Sequence, residues 1–184
     1  MFTEHFNKYV SFGDTISCTV DGFDVVAKIV FDESADAPWL AEDGHGPVSD
    51  WTSREKGPGE RTLCEDGAHS LYYDVKESTA LARKDGWDAP PYGKGTAGER
   101  AKRAVEADFQ SMRGWCQNDW SYCGVVLSVR RSDVELDKHA ASLWGIDVNH
   151  PHGDHKYLQT VANELLPEAL DAGRKVLERL TANA

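Results

Sequence analysis

Thr15-Ile16-Ser17-Cys18-Thr19-Val20, then Asp21-Gly22, then Phe23-Asp24-Val25-Val26-Ala27-Lys28-Ile29-Val30-Phe31: this stretch decides the fold class. Both flanks are rich in β-branched residues and alternate between apolar and polar, the period of a half-buried strand. Asp-Gly between two such runs accepts the positive φ angles of a type I′ turn, so the spacing predicts an antiparallel hairpin over residues 14–31.

Downstream, Thr62 to Tyr73 reads as a second short hairpin turning at Asp66-Gly67. Asp74 then has the N-cap role for a helix, with Glu77 at capping-box spacing, and Gly86 supplies the left-handed residue that ends it. Trp87 is expected to fold back onto the sheet. Thr96 with Glu99 opens another helix, on which Val105, Phe109, Met112 and Cys116 recur at helical spacing and which ends before Trp120. Residues 122–130 read as a strand and Ser132-Asp133 as a turn. Residues 134–136 and 143–148 then read as two further short strands. A final helix over residues 156–180 carries Leu158, Val161, Leu165, Ala169 and Val176 on one side, and Pro167 is expected to kink it. Strands joined by short turns and helices that do not alternate with them imply an α+β fold. The expected form is one antiparallel sheet with helices mainly on one face. No linker or repeat divides the chain, so a single domain over residues 1–184 is expected.

Between the first hairpin and the second, residues 38–60 form a long turn-rich stretch that carries Trp39, His45 and Trp51. A loop of this length within a compact domain is functional or disordered, and two tryptophans argue for order because each has a large area to bury. Asp32, Glu33, Asp36, Glu42, Asp43 and Asp50 lie between Lys28 and Arg54 with no Lys or Arg among them, so the loop is acidic. The whole chain of 184 residues carries a formal charge of −11. That balance opposes direct contact with nucleic-acid phosphates or anionic membranes and favours attraction to basic surfaces. No window reaches the ~18 apolar residues of a membrane span. The first residues lack a basic region followed by an apolar run, and Cys18, Cys64, Cys116 and Cys123 include no C-x-x-C pair. A cytoplasmic chain with reduced thiols and no cofactor is expected.

The alternatives for chemistry are specific. His150, His152, Asp154 and His155, with His45 and Asp43, offer imidazoles and carboxylates to a metal-dependent hydrolase. Their spacing matches no helical H-E-x-x-H pair, and Asp154 is equally placed as N-cap of the last helix. Gly93-Lys94-Gly95-Thr96 lacks the spacing of a phosphate loop. Cys116 and Cys123 stand seven apart across a helix-to-strand junction and Ser49 lies outside any G-x-S-x-G, so covalent catalysis has no motif behind it, and Asp43 with Asp50 as an acid–base pair rests on proximity alone. Trp115, Trp120, Tyr122 and Trp144 have no basic stripe between them and read as packing residues rather than a base-stacking platform. A phage structural or assembly protein, the third class, has no coiled-coil or repetitive β pattern in its favour.

Pro38-Trp39, Asp43-Gly44-His45-Gly46-Pro47-Val48-Ser49-Asp50-Trp51, Arg54 and Pro58-Gly59-Glu60-Arg61 form a distinctive series. Tyr72-Tyr73-Asp74, Asp85-Gly86-Trp87, Trp115-Cys116 and Tyr122-Cys123-Gly124-Val125 follow it in order. The series, over about residues 38–165, resembles a group of small proteins encoded by bacteriophages and prophages. The resemblance implies a phage or mobile-element origin and brings no catalytic role with it. With that origin, the expected function is an acidic binding protein acting in the host bacterial cytoplasm. It would inhibit a host defence complex (restriction, CRISPR or nuclease machinery) through that complex's basic nucleic-acid-binding surface. The expected contact residues are Asp36, Trp39, Glu42, Asp43, Asp50 and Trp51.

Overall fold

A computed structural model describes residues 1–41, 44–150 and 155–182. Among these residues the fold is α+β, with antiparallel sheets and four helices. Contacts gather in two compact units, Met1–Ala35 together with Trp120–Ala184, and Asp36–Asp119. In chain order the second unit is an insertion within the first.

The first unit is a four-stranded antiparallel sheet in the order β1 (Thr15–Val20), β2 (Phe23–Phe31), β5 (Ser121–Arg131) and β6 (Val134–Val148). The β1–β2 hairpin has the bounds its sequence predicts. Asp21 and Gly22 take positive φ angles of 53° and 76°, and Val20 pairs with Phe23 across the turn. Period-two alternation puts Val25, Ala27 and Ile29 of β2 and Cys123, Val125, Leu127 and Val129 of β5 into one core. Helix α4 (Lys156–Ala182), with Pro167 inside it, packs against β6, β5 and β2 and adds Leu158, Val161, Ala162 and Ala169 to that core. The N-terminal strand-less segment is tied to the same helix: the Phe2 amide donates to Asn163 Oδ1 at 2.8 Å, and Phe2 itself is buried.

The second unit holds the hairpin of β3 (Glu60–Asp66) and β4 (His69–Asp74), with α2 (Val75–Asp85) and α3 (Ala97–Cys116). Both helices have the expected caps. The Glu77 amide donates to the Asp74 side chain, Gly86 is left-handed, and Thr96 and Glu99 form a reciprocal capping box. Leu63, Leu71, Tyr73, Ala82, Ala101, Val105, Phe109 and Met112 make a separate core, and Trp87 packs against it.

Two expectations are corrected. The strands form two sheets rather than one: among the described residues, the strand partners of β3 and β4 are each other and the bridging residues Val48 and Thr52 of the preceding loop. Residues 134–148 form one strand rather than two short ones. The charged run Asp137-Lys138-His139 has no strand signature, but pairing with β5 carries the backbone through it. Register shifts near Leu127 and Val129 absorb the mismatch. Among the described residues no helix is long and apolar enough to cross a membrane.

Gly173 sets how closely α4 approaches the sheet. A Cβ there would fall 2.8 Å from Val129 Cγ1 and 3.2 Å from the Phe23 ring. Gly173→Val therefore sets an overpacking cost of about 1–3 kcal/mol against a helix-propensity gain of about 0.4 kcal/mol. The net expectation is a lower urea midpoint, and an unchanged or raised midpoint would show that the helix does not pack on the sheet at this residue.

Candidate binding surface

The stretch before β3 is joined to the second unit by backbone pairing and by one carboxylate. Val48 and Thr52 bridge antiparallel to Tyr73 and Ser70 of β4. The Ser49 amide donates to the Tyr72 carbonyl at 2.9 Å, the Tyr72 amide donates to Ser49 Oγ at 3.0 Å, and the Asp74 amide donates to the Pro47 carbonyl at 3.0 Å. Residues 47–52 thus cover an edge of β4 that would otherwise expose unpaired amides.

Asp108 of α3 holds the start of this run. Its Oδ1 accepts from His45 Nδ1 at 2.7 Å, and its Oδ2 accepts from the Gly46 amide at 2.8 Å and from the Tyr73 hydroxyl at 2.6 Å. The carboxylate is nearly buried, and three donors compensate the loss of water. Gly46 is the only residue that fits: a Cβ would lie 2.0 Å from Ser78 Oγ and 2.5 Å from the Tyr73 hydroxyl. Ser78, fully buried in α2, donates to the Asp74 carbonyl. At the far end, Arg54 grips Glu60 with two parallel bonds of 2.7 and 2.6 Å, and its guanidinium lies over the Tyr72 ring at 4.8 Å. The Arg54 guanidinium, followed by the Gly57 amide, holds the Glu60 carboxyl below its usual range.

The six expected contact residues have different placements. Trp39 lies in a single helical turn, α1 (Pro38–Ala41), edge-on to Trp115 with ring centroids 5.4 Å apart, and packs on the core of the unit. Its neighbour Leu40, which the sequence reading does not single out, is 72% exposed. Asp36 and Asp50 are exposed, and Trp51 keeps 49% of its surface open. Glu42 and Asp43 lie outside the described residues, as do His152 and Asp154 of the metal alternative. His45 serves Asp108, His150 stands against the Trp120 ring, and His155 Nε2 lies 3.1 Å from Asn149 Oδ1. Among the described residues no three His, Cys, Asp or Glu side chains gather as a metal-ligand set.

Asp108 is the residue the sequence reading misses, and a signal for it exists. It falls three after Val105 and four before Met112, on the apolar side of α3, where a carboxylate requires donors. Comparison with protein-family models, with curated proteins and with solved structures finds no match.

Burial, and after it the Asp108 carboxylate, push the Tyr73 hydroxyl far above its ordinary value. The folded protein therefore keeps the Tyr73 proton where an unfolded tyrosine, titrating near about pH 10, releases it. The stability linked to this proton is complete below about pH 10 and is lost as pH rises towards the folded value, at about 1.4 kcal/mol per pH unit. Tyr73→Phe is expected to be less stable at pH 7 by about 2 kcal/mol and to lose stability less steeply above pH 10. Urea melts across that range check both, and parallel pH profiles for the two proteins would refute the assignment.

Proposed function

We propose that this chain is a phage-encoded acidic binding protein. In this reading it acts in the host bacterial cytoplasm and inhibits a defence complex by occupying its basic nucleic-acid-binding surface. The observation that carries the reading is the setting of Asp50 and Trp51. Both side chains are open to solvent, while Ser49 before them and Thr52 after them are hydrogen-bonded to β4. An indole presented on a fixed backbone loses little conformational freedom on binding, and preorganisation of this kind favours affinity. An aromatic anchor beside a carboxylate suits a partner with an apolar pocket bordered by Lys or Arg. The charge of −11 adds a long-range attraction to such a surface.

Capture from bacterial lysate and mass spectrometry supply the partner, and binding kinetics then separate the two contributions. Asp36→Lys with Asp50→Lys should slow association at low salt, and the difference should fade as the screening length falls to about 8 Å near physiological salt. Trp51→Ala should instead speed dissociation by about 30-fold, equivalent to about 2 kcal/mol. A folded double charge-reversal protein that associates at the wild-type rate in low salt would refute the acidic-surface mechanism.

A further inference from the structure

Against the charge of the whole chain, the wall of one cavity beside β3 is basic, as is that of the cavity lined by Arg61, Lys76 and Arg83. The first lies between β3 and the C-terminal half of α3, has a volume of about 490 Å³, and is lined by Lys56, Arg61 and Arg113 against a single carboxylate, Glu65. The volume is that of a small-molecule site. With a register shift in β3 between Thr62 and Cys64, residues 61–65 all border the cavity, Leu63 and Cys64 on its side towards the core. Arg61 is fixed from two sides. Its guanidinium lies 3.5 Å over the Phe109 ring, and its Nη1 donates to Glu106 Oε2 at 2.5 Å. The rest of its donor fork is unengaged among the described residues. Lys56 and Arg113 have no carboxylate partner there either.

The remaining wall does not oppose an anion. Thr62 and Gln117 offer neutral donors, and Cys64 and Cys116 both border the space. Burial pushes the Cys116 thiol up to about 12, so it stays neutral at physiological pH. The Glu106 carboxylate on Arg61 offsets part of that guanidinium's charge, and more distant carboxylates act through solvent and are screened beyond about 8 Å.

We propose that this cavity binds a small phosphate-bearing molecule, with Lys56 and Arg113 closing on the phosphate and Arg61 as the preset fork. Guanidinium groups match phosphate oxygens in pairs, and two otherwise unpaired cations gain a partner on binding. The site is independent of the Trp51 surface.

Inorganic pyrophosphate and adenosine monophosphate are the probes, titrated into the full-length protein by calorimetry. The expected result is saturable binding of at least one with a dissociation constant below about 1 mM. Binding to adenosine monophosphate but not pyrophosphate would assign the rest of the volume to an organic body. Lys56→Gln with Arg113→Gln, both exposed positions, should weaken binding at least about tenfold. Glu65→Gln should tighten it, which mere damage to the fold would not do, and Trp51→Ala should leave it unchanged. Bound probe should also slow alkylation of Cys64 by iodoacetamide. No saturable binding of either probe, or equal affinity in the Lys56/Arg113 double variant, overturns the proposal.

Discussion

One carboxylate holds the second unit's long connection in place. Asp108 accepts from an imidazole, a backbone amide and a phenol that come from two segments distant from it in sequence. A nearly buried carboxylate without donors is costly, so each of the three is held by the cost of losing it. The arrangement is cooperative in space as well. Only glycine at position 46 allows the chain to pass over Ser78 and the Tyr73 hydroxyl, and that passage brings the amide onto Asp108. Once Gly46 is seated, residues 47–52 lie along β4 and pair with it.

The exposure of Trp51 is a consequence of that seating. The bridges at Val48 and Thr52 pin the backbone on both sides, Val48 packs on the core of the unit, and Asp50 and Trp51 between them stand in solvent. Trp39, by contrast, lies against Trp115 and adds to the attachment of the segment. The two tryptophans, similar in sequence context, therefore have separate physical roles. The same unit also carries the basic cavity beside β3, where the local balance of charge is opposite to that of the chain as a whole.

Local signals made much of the fold legible. The β1–β2 hairpin follows from Asp21-Gly22 and its alternating flanks, and the ends of α2 and α3 follow from Asp74, Gly86, Thr96 and Glu99. These residues act within a few positions of themselves. What sequence does not display is pairing decided by distant partners. The charged residues 137–139 continue as strand only because β5 lies beside them. No boundary is drawn in the sequence between the two units, whose separate cores depend on which helices meet which strands. The attachment of residues 45–52 rests on a histidine, a glycine and a serine hydroxyl bonded to side chain and backbone, a pattern without period. Asp108 was half legible, as a carboxylate among apolar neighbours whose partners the sequence could not name.

The most direct test of this account is native-state hydrogen exchange at individual amides of residues 45–52 and of Asp74. Gly46, Ser49 and Thr52 each donate to a named acceptor, and the Asp74 amide donates to Pro47. The account predicts that these four amides are protected to a degree comparable with the β3–β4 ladder, while the Trp51 amide, which has no such acceptor among the described residues, exchanges faster. Exchange of all four at the rate of an unstructured chain would contradict it, because the carboxylate would then not be holding the segment at all.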